Sequence, residues 1–156
     1  MATFAIESNG RIEKTAVYYN GDQIGGLKEI FINLDEEGTF DSIIQYENTS
    51  GEIVTKNIFE DYLNDIKVVP PSFTEEEARN LSLLIIESDG DIENTQLFLN
   101  DEALEGVINV FLHIKSAKAK GGISSIFKKA IPETVEFKAD ITYRNDDDTI
   151  ETERIF

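Results

Sequence analysis

The chain has 156 residues, 40% of them hydrophobic and 29% charged, which is ordinary for a folded protein and argues against wholesale disorder. Its formal net charge of −17 disfavours direct contact with nucleic acids and with anionic membrane surfaces, because like charges repel. It has no cysteine, which excludes disulfides and thiolate chemistry, and no apolar run long enough to span a membrane. We therefore expect a soluble cytoplasmic protein.

The N-terminal part of the chain predicts short strands separated by tight turns. Residues 3–8 alternate apolar and polar side chains, which is the period of a β-strand. Asn9-Gly10 and Asn20-Gly21 each follow such a segment. Asn-Gly is typical of two-residue hairpin turns, because both positions of the turn need a positive φ. These features predict consecutive antiparallel hairpins.

Three more strands are predicted before residue 66. Residues 29–34 alternate cleanly, and residues 40–46 follow after a polar turn. The returning strand, 53–59, places Ile53 and Ile58 five positions apart, and a bulge between them would put both side chains on one face. Residues 1–66 are thus expected to form an antiparallel β-meander.

Residues 67–81 have the composition of a linker. Pro70-Pro71 enforces an extended backbone, and Thr74 with Glu77 has the spacing of a capping box. A single short helix is therefore predicted over about residues 75–81.

Residues 82–156 repeat the first part of the chain. From residue 86 the sequence matches residues 6–34 at an offset of 80, with Asp89-Gly90 in place of Asn9-Gly10. After an insertion the match resumes at an offset of 97, so that Phe40 corresponds to Phe137. The positions identical at the first offset are Ile6, Glu7, Ser8, Gly10, Ile12, Glu13, Thr15, Asn20, Gly26 and Phe31.

These patterns predict an all-β, mainly antiparallel fold with one or two short helices. Two tandem β-meander repeats of about 60 residues, 1–66 and 82–156, would be joined by the linker 67–81 and pack as a pseudo-twofold sandwich or barrel. A unit of that size is marginal alone, which favours extensive packing between the two. We call residues 1–66 the first copy and 82–156 the second copy.

The two copies differ most in a basic insertion, residues 116–136, which replaces a four-residue turn of the first copy. Its apolar residues fall at helical spacing with lysines on the other side, which is typical of an amphipathic helix. One interpretation is a short helix that covers the sheet, and the other is a mobile arm that docks on a partner. In the second interpretation the partner-binding residues are Lys118, Lys120, Ile123, Phe127, Lys128 and Lys129.

The sequence contains little that resembles catalytic or metal-binding apparatus. His113 is the sole histidine, and the first copy has Asn33 in its place. No nucleophile elbow, Walker loop or dinucleotide fingerprint is present, so we predict no catalytic residue and no cofactor. Carboxylates cluster at 89–93 and 101–102, but their spacing misses the EF-hand pattern, and we predict no metal site.

The charge and the missing catalytic apparatus together favour a non-enzymatic interaction protein. Its acidic surface would bind, and could inhibit, a basic partner such as a nucleic-acid-binding protein, as accessory factors of viruses or mobile elements do. One alternative is an assembly protein that forms homo-oligomers through β edges. Another is a binder of a small anionic ligand at the seam between the copies.

Overall fold

The computed structural model describes residues 1–115 and 136–156. In that part of the chain the fold is all-β and mostly antiparallel, with two sheets and one short α-helix, α1 (Glu75–Ala78). The strands of the first copy are β1 (Ala2–Ser8), β2 (Ala16–Tyr19), β3 (Asp22–Gly25), β4 (Leu27–Asp35), β5 (Phe40–Glu47) and β6 (Ile53–Asn57). The later strands are β7 (Lys67–Val68), β8 (Ser82–Ser88), β9 (Gln96–Leu99), β10 (Glu102–Ala103), β11 (Val107–Lys115), β12 (Glu136–Arg144) and β13 (Ile150–Arg154).

Each sheet combines strands from both copies. The seven-stranded sheet has the order β10-β9-β8-β1-β2-β3-β7, and the six-stranded sheet has the order β13-β12-β11-β4-β5-β6. Neither sheet closes into a barrel within the described residues, so the barrel alternative is wrong. No helix in residues 1–115 and 136–156 is long and apolar enough to cross a membrane.

The two copies meet at the centre of both sheets. In the seven-stranded sheet β1 pairs with β8, and Ala5 lies opposite Ile85. In the six-stranded sheet β4 pairs with β11, and Ile32 lies opposite Leu112. Both pairs join residues 80 positions apart, which is the offset of the repeated sequence.

The buried side chains of the two sheets form one hydrophobic cluster. Phe4, Ile6 and Leu84 come from the seven-stranded sheet, whereas Ile32 and Leu112 come from the six-stranded sheet. On β4 every second residue is buried, as the alternation predicts for a strand with one face against a core.

The predicted antiparallel hairpins are present at both Asn-Gly sites, but the predicted two-residue turn is correct only at Asn20-Gly21. Asn20 and Gly21 have φ of 50° and 91° and join β2 directly to β3, as expected for a two-residue turn. Asn9-Gly10 is not such a turn, because β1 and β2 are separated by a longer connection with a 3-10 turn at Ile12–Lys14. The hydroxyls of Ser8 and Thr15, 2.8 Å apart, tie the two ends of this connection together.

The predicted bulge near the end of the first copy is also wrong. β5 and β6 pair without a register shift, Ile53 is 52% exposed, and Ile58 is fully buried. An odd spacing places the two side chains on opposite faces, so no bulge is required. The predicted helix is confirmed in a shorter form, since α1 ends at Ala78 and Thr74 makes its capping box with Glu77.

Candidate interaction surface

The predicted partner-binding residues of the insertion lie outside the described residues. Lys118, Lys120, Ile123, Phe127, Lys128 and Lys129 all fall within 116–135. At the base of the insertion, Lys115 on β11 and Glu136 on β12 lie opposite each other in the six-stranded sheet. The candidate surface within the described residues is elsewhere, at the far edge of the seven-stranded sheet.

Two grooves lie at positions related by the sequence offset. The large groove has a volume of about 580 Å³, and its lining includes Ile92, Glu93, Leu97 and Val107. The small groove has a volume of about 360 Å³, and its lining includes the counterparts of these four residues. Those counterparts are Ile12, Glu13, Val17 and Leu27.

The large groove has the greater volume because it continues past the end of β10. Ala103, Leu104 and Glu105 line the large groove, whereas their counterparts Gln23, Ile24 and Gly25 do not line the small one. In the first copy the chain itself covers this edge. Ile24 pairs with Val68 of β7, which makes β7 the edge strand beside β3.

The cover of the first copy is held by main-chain and side-chain hydrogen bonds. The amide of Val69 donates to the carbonyl of Gln23 at 2.9 Å. The side chain of Gln23 then makes two hydrogen bonds to Ser72, donating to its hydroxyl at 2.7 Å and accepting from its amide at 2.8 Å. Gln23 and Ile24 are consequently 8% and 4% exposed.

Among residues 1–115 and 136–156, no strand covers the corresponding edge of the second copy. β10 is the last strand of the seven-stranded sheet, with β9 as its neighbour. Ala103 is exposed and Leu104 is half-exposed, although their counterparts are buried. We use "open edge" for residues 101–105 from here on.

The open edge carries more negative charge than its counterpart. Asp101, Glu102 and Glu105 are exposed, whereas the matching positions in the first copy are Gly21, Asp22 and Gly25. No ion pair within residues 1–115 and 136–156 involves these three carboxylates. Of these three carboxylates Glu105 lines the large groove, whose lining mixes apolar side chains with polar ones, among them Glu36 and Glu93.

The turn beside the large groove positions one more carboxylate. Ser88 is fully buried, and its hydroxyl lies 2.8 Å from that of Thr95 and accepts from the amide of Gly90 at 3.0 Å. The side chain of Asp91 accepts from the amide of Glu93 at 3.0 Å. These contacts fix the 3-10 turn that holds the exposed Glu93 at the groove.

Carboxylates in residues 89–93 form hydrogen bonds within the turn. Asp89 accepts from the amide of Asp91 at 2.9 Å and from the side chain of Asn94 at 3.0 Å. The hydrogen bond from the Asp91 amide is the main reason why the pKa of Asp89 lies below its usual value. In the described part of the chain no group of three or more His, Cys, Asp or Glu side chains is placed to hold a metal ion.

His113 lies on the outer face of the six-stranded sheet. Its Nε2 atom is 2.6 Å from Oε2 of Glu29, and its ring packs edge-on against Phe31 with centroids 5.9 Å apart. Phe31 also packs against Phe111, its counterpart in the second copy, and Lys138 lies over the Phe111 ring. These contacts place His113 in a packed ring cluster on the strand, with Glu29 as a hydrogen-bond partner.

Comparisons with known proteins identify no relative. No protein-family model matches the chain, and neither the curated proteins nor the solved structures give a match.

Sequence reasoning missed the open edge. The signal for it was the change from Gly21 and Gly25 to Asp101 and Glu105 between two otherwise similar hairpins. That change places side chains and charge where the first copy has neither. Comparing the two copies in sequence shows these substitutions. Their consequence for the sheet edge can be inferred only from the structure, in which β7 covers β3 of the first copy.

Proposed function

We propose that this chain is a non-enzymatic acidic interaction protein that binds a basic partner, such as a nucleic-acid-binding protein. The observation that carries the proposal is the open edge, where Asp101, Glu102 and Glu105 are exposed and Glu105 lines a groove with both polar and apolar side chains. A basic partner gains electrostatic attraction from the carboxylates and apolar contact from the groove. Lysines and arginines that bind carboxylates in this way are no longer free to bind phosphates, so the partner would be inhibited.

Salt-dependent binding tests this function. The full chain is titrated with a panel of purified basic nucleic-acid-binding proteins, with polylysine as the control for nonspecific attraction. We expect a complex at about 50 mM salt that weakens strongly at about 500 mM, where exposed charges are screened beyond a few ångströms. The bound partner should also release duplex DNA. The proposal fails if no member of the panel binds at low salt, or if polylysine binds as tightly as the best of them.

Assembly through β edges is the second candidate function. The six-stranded sheet ends in β6 and β13, and each of these strands carries an exposed isoleucine: Ile53 at 52% and Ile150 at 58%. An edge of this kind can pair with the same edge of another copy. Light scattering over a concentration series separates the two functions, since assembly requires a mass that rises with concentration in the absence of any partner.

We propose further that the two copies are related by a pseudo-twofold axis and that their sheets pack as a sandwich. The axis would pass through the Ala5–Ile85 and Ile32–Leu112 pairs, each of which joins a residue to its own counterpart. The single buried cluster drawn from both sheets supports face-to-face packing. The partner-binding role of the lysines in the insertion remains a separate proposal.

A further inference from the structure

We infer that the open edge binds its partner by strand addition, taking an extended basic segment as a new outer strand beside β10. This inference rests on the proposed function and specifies how the basic partner is held. The chain itself supplies the template, because the first copy binds Lys67–Val69 in this way beside β3. The second copy presents the matching hairpin, and no strand of the described part of the chain occupies that position.

The backbone of the open edge is oriented for such an addition. The amide of Leu104 donates to the carbonyl of Leu97 at 2.9 Å, so it points towards β9. Alternate residues of a strand point their amides and carbonyls to opposite sides, so those of Ala103 point away from β9, and a strand continued through Glu105 would point the amide of Glu105 the same way. In the first copy the carbonyl of Gln23, the counterpart of Ala103, accepts from Val69.

The carboxylates of the open edge favour a basic partner segment. In the template Lys67 reaches Glu47, with Nζ 3.4 Å from Oε2, but the counterpart of Glu47 is Arg144, so the preference for a basic segment rests on the carboxylates of the open edge itself. The open edge has Asp101, Glu102 and Glu105 within five residues. An extended segment with lysine or arginine at alternate positions could direct these side chains to the carboxylates while its backbone pairs with β10. Main-chain hydrogen bonds would supply affinity, and the charges would supply selectivity.

The side chain of Glu105 adds a steric condition. A Cβ atom at Gly25 would lie 2.7 Å from Cγ1 of Val69, which is too close, but 3.9 Å from its Cβ. The second copy has a Cβ at this position because residue 105 is glutamate. The partner segment should therefore carry a small residue, such as alanine, where the template has Val69.

A synthetic peptide tests these conditions together. The probe is residues 65–73 of this chain with blocked ends and the substitutions Asp65→Lys and Val69→Ala, which make it basic and remove the clash. A second peptide is identical except for an N-methyl group on the amide of residue 69, which removes the main-chain donor and leaves the charge unchanged. A third peptide has the same composition in scrambled order.

Binding to the full chain is followed by NMR and amide hydrogen exchange. We expect the probe to slow exchange at Glu105 and to leave Gly25 unchanged, since β7 already covers that edge. The N-methylated peptide should bind about tenfold more weakly, because it loses a hydrogen bond and is obstructed at the edge. Glu105→Lys should weaken the probe about fivefold. The control Glu52→Lys, which makes the same charge change on the β5–β6 turn, should change binding less than twofold.

The outcomes distinguish this inference from the function it rests on. If a basic partner protein binds the chain but the probe neither competes nor protects Glu105, strand addition is overturned and the proposed function stands. If neither binds at low salt, both are overturned. Equal binding of the probe and its N-methylated form would show attraction without strand addition. The chain is also measured alone at rising concentration. If exchange at Glu105 slows under those conditions, the edge binds another molecule of this chain, and the inference of a separate basic partner is overturned.

Discussion

The contact between Gly25 and Val69 allows the steric argument to be tested without any partner. A Cβ added at Gly25 would lie 2.7 Å from Cγ1 of Val69. Carbon atoms in van der Waals contact are about 3.5–4.0 Å apart, so the valine would have to move by roughly 1 Å. We therefore expect Gly25→Ala to lower the free energy of unfolding by loosening the strand that covers β3.

The magnitude follows from two opposing effects. Forcing a methyl group into an occupied site costs about 1–3 kcal/mol. Gly25 does not have a positive φ, so alanine fits its backbone and regains about 0.4–1 kcal/mol by restricting the unfolded chain. The net loss should be about 1–2 kcal/mol. Val69→Ala alone removes partly buried methyl groups and should cost about 1 kcal/mol.

The double variant should be more stable than the sum of the single effects predicts. Without Cγ1 of Val69 there is no clash, so Gly25→Ala in that background should keep only its favourable effect. The coupling energy should be about 2 kcal/mol, measured by urea unfolding followed by circular dichroism. Glu105→Ala, at the uncovered counterpart of Gly25, is the control and should change stability by less than about 0.5 kcal/mol. Additive effects of the two substitutions would refute the steric argument and with it the preference for a small residue opposite Glu105.

Two tyrosines provide further predictions. Tyr46 is fully buried and its hydroxyl donates to the carbonyl of Asn64 at 2.9 Å, so Tyr46→Phe should cost about 1–2 kcal/mol in thermal unfolding. Tyr143→Phe, at the half-buried counterpart, should cost less than about 0.5 kcal/mol, and a larger loss there than at Tyr46 would contradict the assignment. Burial, and then the hydrogen bond to Glu7, raise the pKa of Tyr18 from 10.0 to about 12. Because the neutral phenol is favoured in the folded state, this contribution to stability is complete below pH 10 and is lost as the pH rises to about 12. Tyr18→Phe should remove the last step of the tyrosinate absorbance titration, and an unchanged titration would show that another tyrosine accounts for it.

The sequence predicted local structure well where one physical signal dominated. Alternation along β4 identified Ile30, Ile32 and Leu34 as buried, because a strand with one face on a core must alternate. It misjudged Ile53, since an apolar residue on an edge strand looks the same in sequence as one in a core. The long connection after Asn9-Gly10 was missed because the Ser8–Thr15 contact, which joins its two ends, involves no residue of the Asn-Gly signal.

The candidate site depended on contacts that sequence patterns do not encode. Alternation shows which face of a strand is buried, but it cannot show which strand lies beside it. The pairing of β1 with β8 and the covering of β3 by β7 each join segments far apart in the chain. The difference between a covered and an open edge is therefore invisible in either copy alone.

The two copies together show why charge belongs at the open edge. An uncovered edge strand can pair with any other exposed strand, and charged side chains are a common protection against such pairing. Asp101 and Glu105 could have that protective role alone, but protection does not account for the half-exposed Leu104 or for the groove of about 580 Å³ that Leu104 lines. Carboxylates repel acidic strands, attract basic ones, and make pairing with apolar strands costly because the charge would be buried. If the proposed function holds, the residues that limit nonspecific pairing at the open edge are the same ones that would favour a basic strand.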